Sequence, residues 1–342
     1  MKNLNLPGLI SQVEQEEDLK KDYLVDTRSM LVGTEGNDSF ITISTGGRNR
    51  QSFRLNETAR QQLASRLNVP LPYAERIRNE EPDLYDRTVN TLLHRKDEHR
   101  LVRTKGGDTC RAFLSKNYKI LDHDEFLKSV LPILSLNPNL NVQEAFLSDT
   151  HLQLSITLEE SDRHVRPGDP VKYGVVLLNS EVGLGSLSLS SFIYRQICSN
   201  GLVVPEREGS LRRIHLGRAM ADVNDNYNRS VWREYSNAIK ELLNGKRFEE
   251  IMASMRAAAA RPIVKDAEVI VEEIGKKFNL SKEEQALVQA QYEANADRSV
   301  WGLVNAVTEA AKEATTIQRR NELQIIGGKL LPQISTPFAM AA

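Results

Sequence analysis

The strongest constraint on the fold is a change of pattern close to residue 218. Up to about Gly217, short stretches of alternating apolar and polar residues are separated by glycine turns, which is typical of β-hairpins. After about Ala219, apolar residues recur every three or four positions, which is typical of amphipathic helices. The sequence therefore predicts an α+β fold, with a flexible N-terminal arm over 1–21, an antiparallel sheet with packed helices over 22–217 and an α-helical region over 218–342.

Strand pairs are predicted where the alternation continues on both sides of a turn. The predicted pairs are FITI with SFRL around TGG, RLVRTK with TCRAFLS around GGD, AFL with LQLSITL, and VKYGVVLL with SLSLS around GLG. After the last of these strands, Phe192, Ile193 and Ile197 fit a short helix. Asn200-Gly201 would end that helix, because glycine accepts the left-handed conformation.

Helix starts are marked by capping residues. Asn56 is the expected N-cap of one helix, and Asp122 with Glu125 forms an expected capping box for another, over about 122–130. The other expected helices cover about 83–94, 224–243, 248–261, 263–278, 281–295 and 299–330, with Ser281 and Glu284 as a second capping box.

The composition is that of an ordinary soluble globular protein. The chain has 342 residues, of which 40% are hydrophobic and 27% charged, with a net charge of -1. No apolar run is long enough for a membrane span or a secretory signal. Two cysteines are too few for a disulfide framework or a structural zinc site. We therefore expect a cytoplasmic protein with no membrane association, no metal and no cofactor.

Signatures of catalysis are weak. The D-H-D tripeptide at 122–124, with His94 and His99, is the strongest metal-ligand candidate, but a capped helix start explains its aspartates. Cys198 is expected at a helix C-terminus, where the helix dipole disfavours a thiolate. No phosphate-binding glycine motif occurs. The sequence favours a protein that is not an enzyme, and a catalytic site assembled from distant residues stays open.

A local surplus of positive charge surrounds the GGD turn. Between His94 and Lys119, eight lysines and arginines face three aspartates and glutamates, a surplus of five. Cations bind phosphates, and aromatic rings stack on unpaired bases. A charged edge strand that resists unwanted pairing explains the same pattern equally well. The residues expected to contact nucleic acid are Arg100, Arg103, Lys105, Arg111, Lys116, Tyr118, Lys119, Arg195, Arg212 and Arg213.

Three stretches carry a resemblance to a known family. They are RAFLSKNYKILD at 111–122, NSEVG with RQICSNG within 179–201, and WGLVNAVTE at 301–309. In order and spacing they resemble the phage/plasmid-like protein family, a domain of unknown function carried on prophages and plasmids. The matching positions include Arg111, Tyr118, Asn179, Arg195, Cys198, Asn200 and Gly201. The resemblance implies a mobile genetic element but no mechanism. The chain departs from the family at Ala310 and Ala311, where members often carry an aromatic residue or a histidine.

The favoured function is binding of single-stranded DNA by a homo-oligomer, in recombination, strand annealing or replication of the phage or plasmid. The basic hairpin would grip the DNA backbone, and Arg195 with Arg212 and Arg213 would extend the groove. The sheet with its basic hairpin also resembles, at fold level only, the ring-forming single-strand annealing proteins of phages. The alternative is a self-assembling structural or host-interaction protein of the element with no nucleic-acid role, which the near-zero net charge favours.

Overall fold

The computed structural model describes residues 2–47, 49–204, 212–213 and 224–332, and over these residues the fold is α+β, as predicted. The strands are β1 (Lys2–Asn3), β2 (Lys20–Asp26), β3 (Leu31–Glu35), β4 (Asp38–Gly46), β5 (Asn49–Leu55), β6 (His99–Lys105), β7 (Thr109–Ser115), β8 (Leu140–Leu147), β9 (Leu152–Leu158), β10 (Arg163–His164), β11 (Pro170–Asn179), β12 (Leu187–Arg195), β13 (Asn200–Val204) and β14 (Arg212–Arg213). The helices are α1 (Leu6–Glu17), α2 (Glu57–Arg66), α3 (Leu71–Glu80), α4 (Pro82–Arg95), α5 (His123–Leu136), α6 (Asn224–Leu242), α7 (Lys246–Ala260), α8 (Ala267–Phe278), α9 (Lys282–Ala294), α10 (Val300–Ala310) and α11 (Ile317–Leu330).

The first sheet has the strand order β2-β6-β7-β5-β4-β3. Its neighbouring strands are antiparallel except for β5 and β7, which run parallel. Helices α2, α3 and α4 cover one face, and the apolar core between them and the sheet includes Ile41, Phe53, Leu63, Val89 and Val102. The two hairpins predicted around TGG and GGD are confirmed as β4–β5 and β6–β7.

The second sheet has the order β1-β8-β9-β11-β12-β13, with β10 beside β11 and β14 beside β12. Along β11, Tyr173 and Leu177 face one side, where one group of helices (α1, α5, α6) and another (α7, α8, α10) complete two apolar cores. Leu178 faces the other side and packs with Ile317 of α11. The sheet is therefore buried on both faces, which explains its long apolar strands.

Helix α11 packs closely against the edge strand β13. A side chain at Gly328 would place its Cβ 2.1 Å from the carbonyl oxygen of Val203, and one at Gly327 would lie 2.6 Å from the Thr308 methyl group. The Gly-Gly pair therefore sets the short distance between helix and strand.

The short helix predicted from Phe192 to Ile197 is wrong. Residues 192–195 continue β12, which pairs with β11 on one side and β13 on the other, and residues 196–199 form the turn to β13. Ile193 faces the apolar core, whereas Phe192 packs on the opposite face of the sheet. Pairing on both sides of β12 outweighs a helical spacing of only six residues. Cys198 consequently lies in the β12–β13 turn, next to Ser199 with a φ of 51°.

The N-terminal segment is ordered into a helix, in contrast to the flexible arm predicted over 1–21. Asn5 caps α1 by accepting from the Gly8 N–H, and Pro7 occupies its first turn. Leu9 and Val13 are buried in the core with α5 and the second sheet. Their four-residue spacing is the signal that the charge-rich surroundings concealed.

The helical C-terminal region agrees with the sequence prediction. Ser281 and Glu284 form the predicted capping box, and Asn56 caps α2. The long helix predicted over 299–330 is two helices, α10 and α11, separated by a 3-10 turn and residues 314–316. Helix α3 was not predicted, although Pro70 and Pro72 mark its start, where proline is tolerated because the first N–H groups need no partner within the helix. Within the described ranges, no helix combines the length and the apolar character needed to cross a bilayer.

Candidate functional site

Arg103, at the centre of the predicted DNA-binding hairpin, is buried between the two sheets. Only 1% of it is exposed. Its Nε donates to Asp22 at 2.9 Å, and its Nη2 donates to Asp122 at 2.8 Å. Its Nη1 donates to the main-chain oxygen of Glu181 at 2.8 Å. All three guanidinium nitrogens donate to groups inside the protein, so Arg103 is buried and does not line an open groove as predicted.

Arg111 occupies a β-bulge that turns its side chain toward the second sheet. The pairing of β6 with β7 steps from Ala112 to Cys110 and skips Arg111. Its Nη1 lies 2.5 Å from Oε2 of Glu181, a residue that is 3% exposed and lies two positions after the end of β11. Arg111 is itself buried, so it does not lie on the open surface that was predicted for it.

Glu181 is the acceptor around which these charges gather. Its Oε1 accepts from Lys20 Nζ at 2.6 Å and from the main-chain N–H of His123 at 2.6 Å. Burial opposes ionisation of this carboxyl, but the nearby charges of Arg111 and Lys20 hold its pKa well below the ordinary value. We call this group the junction network, and its members are Lys20, Asp22, Arg103, Arg111, Asp122, His123 and Glu181.

The junction network also explains the start of α5. Asp122 precedes the helix as predicted but makes no side-chain capping bond, because Arg103 binds its carboxylate. Burial raises the pKa of Asp122 to about 6, and burial lowers the pKa of His123 to about 4. The expected capping box is therefore wrong at Asp122. Nor do the described residues contain a group of three or more histidine, cysteine, aspartate or glutamate side chains suited to a metal ion.

The other hairpin cations are also mostly paired. Arg100 binds Glu98 at 2.5 Å, and Lys105 binds Glu16 at 2.9 Å. Lys119 is buried, whereas Lys116 is exposed and has no ion-pair partner among the described residues. The Tyr118 hydroxyl donates to the Ser180 carbonyl at 3.1 Å, so its ring lies at the junction and not on an open surface. The cationic groove predicted along this hairpin is therefore not formed.

Arg195 belongs to a second buried cluster, far along the chain from the first. Its Nε donates to Oδ1 of Asp169 at 2.6 Å, and Trp301 Nε1 donates to the other oxygen of the same carboxylate at 2.8 Å. Its Nη1 lies 3.2 Å from the Cys198 sulfur. Asp169 thus holds together two stretches that carry the family resemblance, from β12 and α10.

A cleft of about 320 Å³ opens beside this cluster, and we call it the Arg195 cleft. Its lining residues are Arg195, Ile197, Cys198, Gln291, Ala294, Asn295, Asn305, Ala306 and Glu309. Glu309 Oε2 is buried and has no hydrogen-bond partner within the described part of the chain. Arg195 Nη2 and Asn305 Oδ1 also line the cleft and make no hydrogen bond to another described residue. The cleft therefore presents one charged donor and two acceptors, next to a thiol.

For Arg212 and Arg213, two of the predicted contact residues, the structure describes only the main chain. Strand β14, formed by Arg212 and Arg213, pairs with Ser188 and Leu187 of β12. Their side chains lie outside the described part of the structure. Their predicted role, to extend the DNA-binding groove together with Arg195, therefore stays a prediction.

A comparison with known protein families identifies the family of this chain. Residues 112–324, well over half of the chain, match the family model described as a domain of unknown function (DUF932). The chain belongs to the DUF932 family. The DUF932 match includes the whole Arg195 cleft and the Glu181 side of the junction network, whereas Lys20, Asp22, Arg103 and Arg111 lie before it. No curated protein and no solved structure matches the chain.

Proposed function

We propose that this DUF932 chain binds single-stranded DNA of a phage or plasmid, and that an unpaired base enters the Arg195 cleft. The observation that carries the proposal is the buried, unpartnered Oε2 of Glu309 in a cleft that Arg195 and Asn305 also line, all three from stretches that resemble phage- and plasmid-borne proteins. The resemblance of those stretches supplies the mobile-element context.

The chemistry of the cleft suits the edge of a nucleobase. An unpaired base offers both donors and acceptors, and a guanidinium or an amide recognises such edges. Arg195 Nη2 supplies a donor, and Asn305 Oδ1 with Glu309 Oε2 supplies acceptors. A volume of about 320 Å³ is at the small end of ligand sites and suits one base better than a base pair. A base in a duplex hides the same edge, which favours a single strand.

Few cations remain for the phosphates, and this sets the expected salt dependence. Arg298 donates to the main-chain oxygen of Asn295 at the cleft and has no carboxylate partner among the described residues. One or two phosphate contacts predict a loss of affinity of about three- to sevenfold between about 50 and 200 mM salt. Phosphate contacts from five hairpin cations, Arg100, Arg103, Lys105, Arg111 and Lys116, would predict a loss of affinity of more than about a hundredfold over the same salt range.

The test is binding of a labelled single-stranded oligonucleotide across that salt range, with a variant that fills the cleft. Ala294 is exposed at the end of α9 and lines the cleft, so Ala294→Trp occupies it without breaking a hydrogen bond. We expect this variant to weaken binding about tenfold, the scale of one base contact of about 1–3 kcal/mol. Ala286→Trp, equally exposed on the same helix but outside the cleft, is the matched control. Equal affinities of the two variants, or affinity that is indifferent to salt, would exclude the proposal.

A second candidate function is a structural or host-interaction protein with no nucleic-acid role. The pairing of Arg100, Arg103, Lys105 and Arg111 with carboxylates favours it, because it leaves the hairpin without excess charge. Light scattering with and without the oligonucleotide separates the candidates. A mass that is unchanged by the oligonucleotide, together with no measurable binding, favours the structural role.

A further inference from the structure

The two edge strands of the first sheet differ in how their outer backbone groups are satisfied. At β3, the Val32 N–H donates to Asn90 Oδ1 at 2.7 Å, and Asn90 Nδ2 donates back to the Val32 carbonyl at 2.8 Å. The Thr34 N–H donates to Asp86 at 2.8 Å. Helix α4 therefore caps this edge with side chains and closes it to another strand.

At the β2 edge, the Ser29 hydroxyl covers the carbonyl of Asp26 at 2.8 Å, and Lys20, Asp22 and Leu24 have no such cover in the described part of the chain. Leu19 O accepts from Gly106 N at 3.0 Å, and Thr27 N donates to Glu98 O at 3.0 Å, so the odd-numbered residues bond inward to β6. Since the direction alternates along an antiparallel strand, the N–H and carbonyl groups of the even-numbered residues point outward. These outward residues are Lys20, Asp22, Leu24 and Asp26, and the Leu24 side chain is 61% exposed.

We propose that β2 pairs with β2 of a second copy of this chain. The first sheet of one copy and the first sheet of the other then form one continuous sheet across a two-fold axis. A two-fold axis requires antiparallel pairing of the same strand, which brings each outward residue opposite an outward residue of the other copy. This assembly goes beyond the proposed DNA binding and does not depend on it.

Among two-fold axes at the three central residues of β2, 22 to 24, the charges select one register. An axis at Asp22 opposes two aspartates, and an axis at Leu24 opposes Asp22 to Asp26 twice. Like charges that face each other across a strand pair are destabilising. An axis at Tyr23 places Asp22 opposite Leu24 and Lys20 opposite Asp26, so no like charges meet. The second copy therefore pairs with its Tyr23 opposite Tyr23 of the first.

The register can be read by cross-linking. On a two-fold axis between outward-bonded pairs, residue 23 faces its own copy at a Cα separation of about 4.5 Å, which a disulfide spans. In a Cys198→Ser background, which removes the half-buried thiol, Tyr23→Cys should form a covalent dimer under mild oxidation. Lys21→Cys is the matched control, because Lys21 would face Val25 and lie about 13 Å from its own copy. Equal cross-linking of both variants would overturn the register.

The pairing itself is tested by Leu24→Pro in the full chain. The Leu24 N–H points outward, so proline removes an intermolecular donor and leaves the β2–β6 ladder intact. We expect light scattering to give a dimer mass for the unmodified chain and half of that mass for Leu24→Pro, with an unchanged circular dichroism spectrum. Leu31→Lys, at an exposed leucine on the capped edge, should stay dimeric. A monomeric unmodified chain, or dissociation of both variants, would overturn the proposal.

Discussion

Arg103 and Asp122 are held together across the junction of the two sheets, with Nη2 of the arginine 2.8 Å from Oδ1 of the aspartate. Each had another role predicted from its local sequence, the arginine as a phosphate ligand and the aspartate as a helix cap. Their pairing satisfies both charges inside the protein. Glu181, which follows β11 of the second sheet, completes the same network. Replacing Glu181 therefore measures how much the junction network contributes to the free energy of unfolding.

Replacement of Glu181 by Gln should destabilise the protein strongly. The change leaves Arg111 and Lys20 buried without their shared carboxylate, and loss of one member of a buried ion pair costs about 3–5 kcal/mol in the free energy of unfolding. Urea denaturation measures this quantity. Glu17→Gln, which removes a more exposed partner of Lys20, should cost less than about 1 kcal/mol. Similar losses in the two variants would contradict a dominant role for Glu181.

The free energy of unfolding should fall as the pH drops from about 6.5 toward 4. Burial lowers the pKa of His123 from 6.5 to about 4, so the unfolded chain binds a proton in this window and the folded chain does not. The contribution is about 3 kcal/mol, present above pH 6.5 and lost through pH 4. His123→Gln should flatten the slope by about one proton in denaturation measured across the window.

Two neighbouring groups shape the same pH profile. The buried His151, with its pKa lowered to about 4, adds a slope of the same sign, and His151→Gln therefore serves as the comparison for His123→Gln. Asp122 acts in the opposite direction: its raised pKa makes its contribution largest at low pH and lost as the pH rises through about 6. A slope that is unchanged in His123→Gln would show that His123 does not titrate as described.

A methyl group added at Gly328 should loosen α11. Its Cβ would lie 2.1 Å from the Val203 carbonyl oxygen, so helix or strand must move, and overpacking of this kind costs about 1–3 kcal/mol. The melting temperature of Gly328→Ala, measured by calorimetry, should fall accordingly. Gly33→Ala has open space around the new methyl group and a permitted φ, and its melting temperature should stay close to that of the unmodified chain.

A native chain should react with a thiol reagent at Cys198 and not at Cys110. Cys110 is fully buried, and burial raises its pKa to about 12, whereas Cys198 is half-buried and lines the Arg195 cleft. Single-stranded oligonucleotide should slow the reaction of Cys198 if a base occupies the cleft. The Ala294→Trp variant should react slowly with or without oligonucleotide, and undiminished labelling in the presence of saturating oligonucleotide would contradict base insertion.

Much of the fold could be predicted from periodicity alone. Alternation around glycine turns located β4–β5, β6–β7 and β11–β12, because hairpin partners are close in sequence. The helices after residue 224 followed from apolar spacing and caps such as Ser281. The local pattern failed at residues 192–197, where pairing with strands on both sides extends the backbone up to Arg195 and a turn follows.

The site could not be predicted in the same way, since charge was counted along the chain while neutralisation occurs across the fold. Arg103 meets Asp22 from 81 residues away, and Arg111 meets Glu181 from 70 residues away. Asp169, Asn305 and Glu309 were missed. The one signal for them was position: Asn305 and Glu309 lie inside the WGLVNAVTE stretch, and their chemistry emerged only once α10 faced the β12–β13 turn.

The position of the junction network has a practical consequence for dissecting the molecule. An expression fragment cut to the DUF932 boundaries, 112–324, would retain Glu181 and Asp122 but discard Arg103, Arg111 and Lys20, which neutralise them. It would also lose α1, whose Leu9 and Val13 fill the core beside α5. We therefore expect that residues 112–324 of this chain do not fold alone, and that a stably folded fragment begins upstream of residue 6.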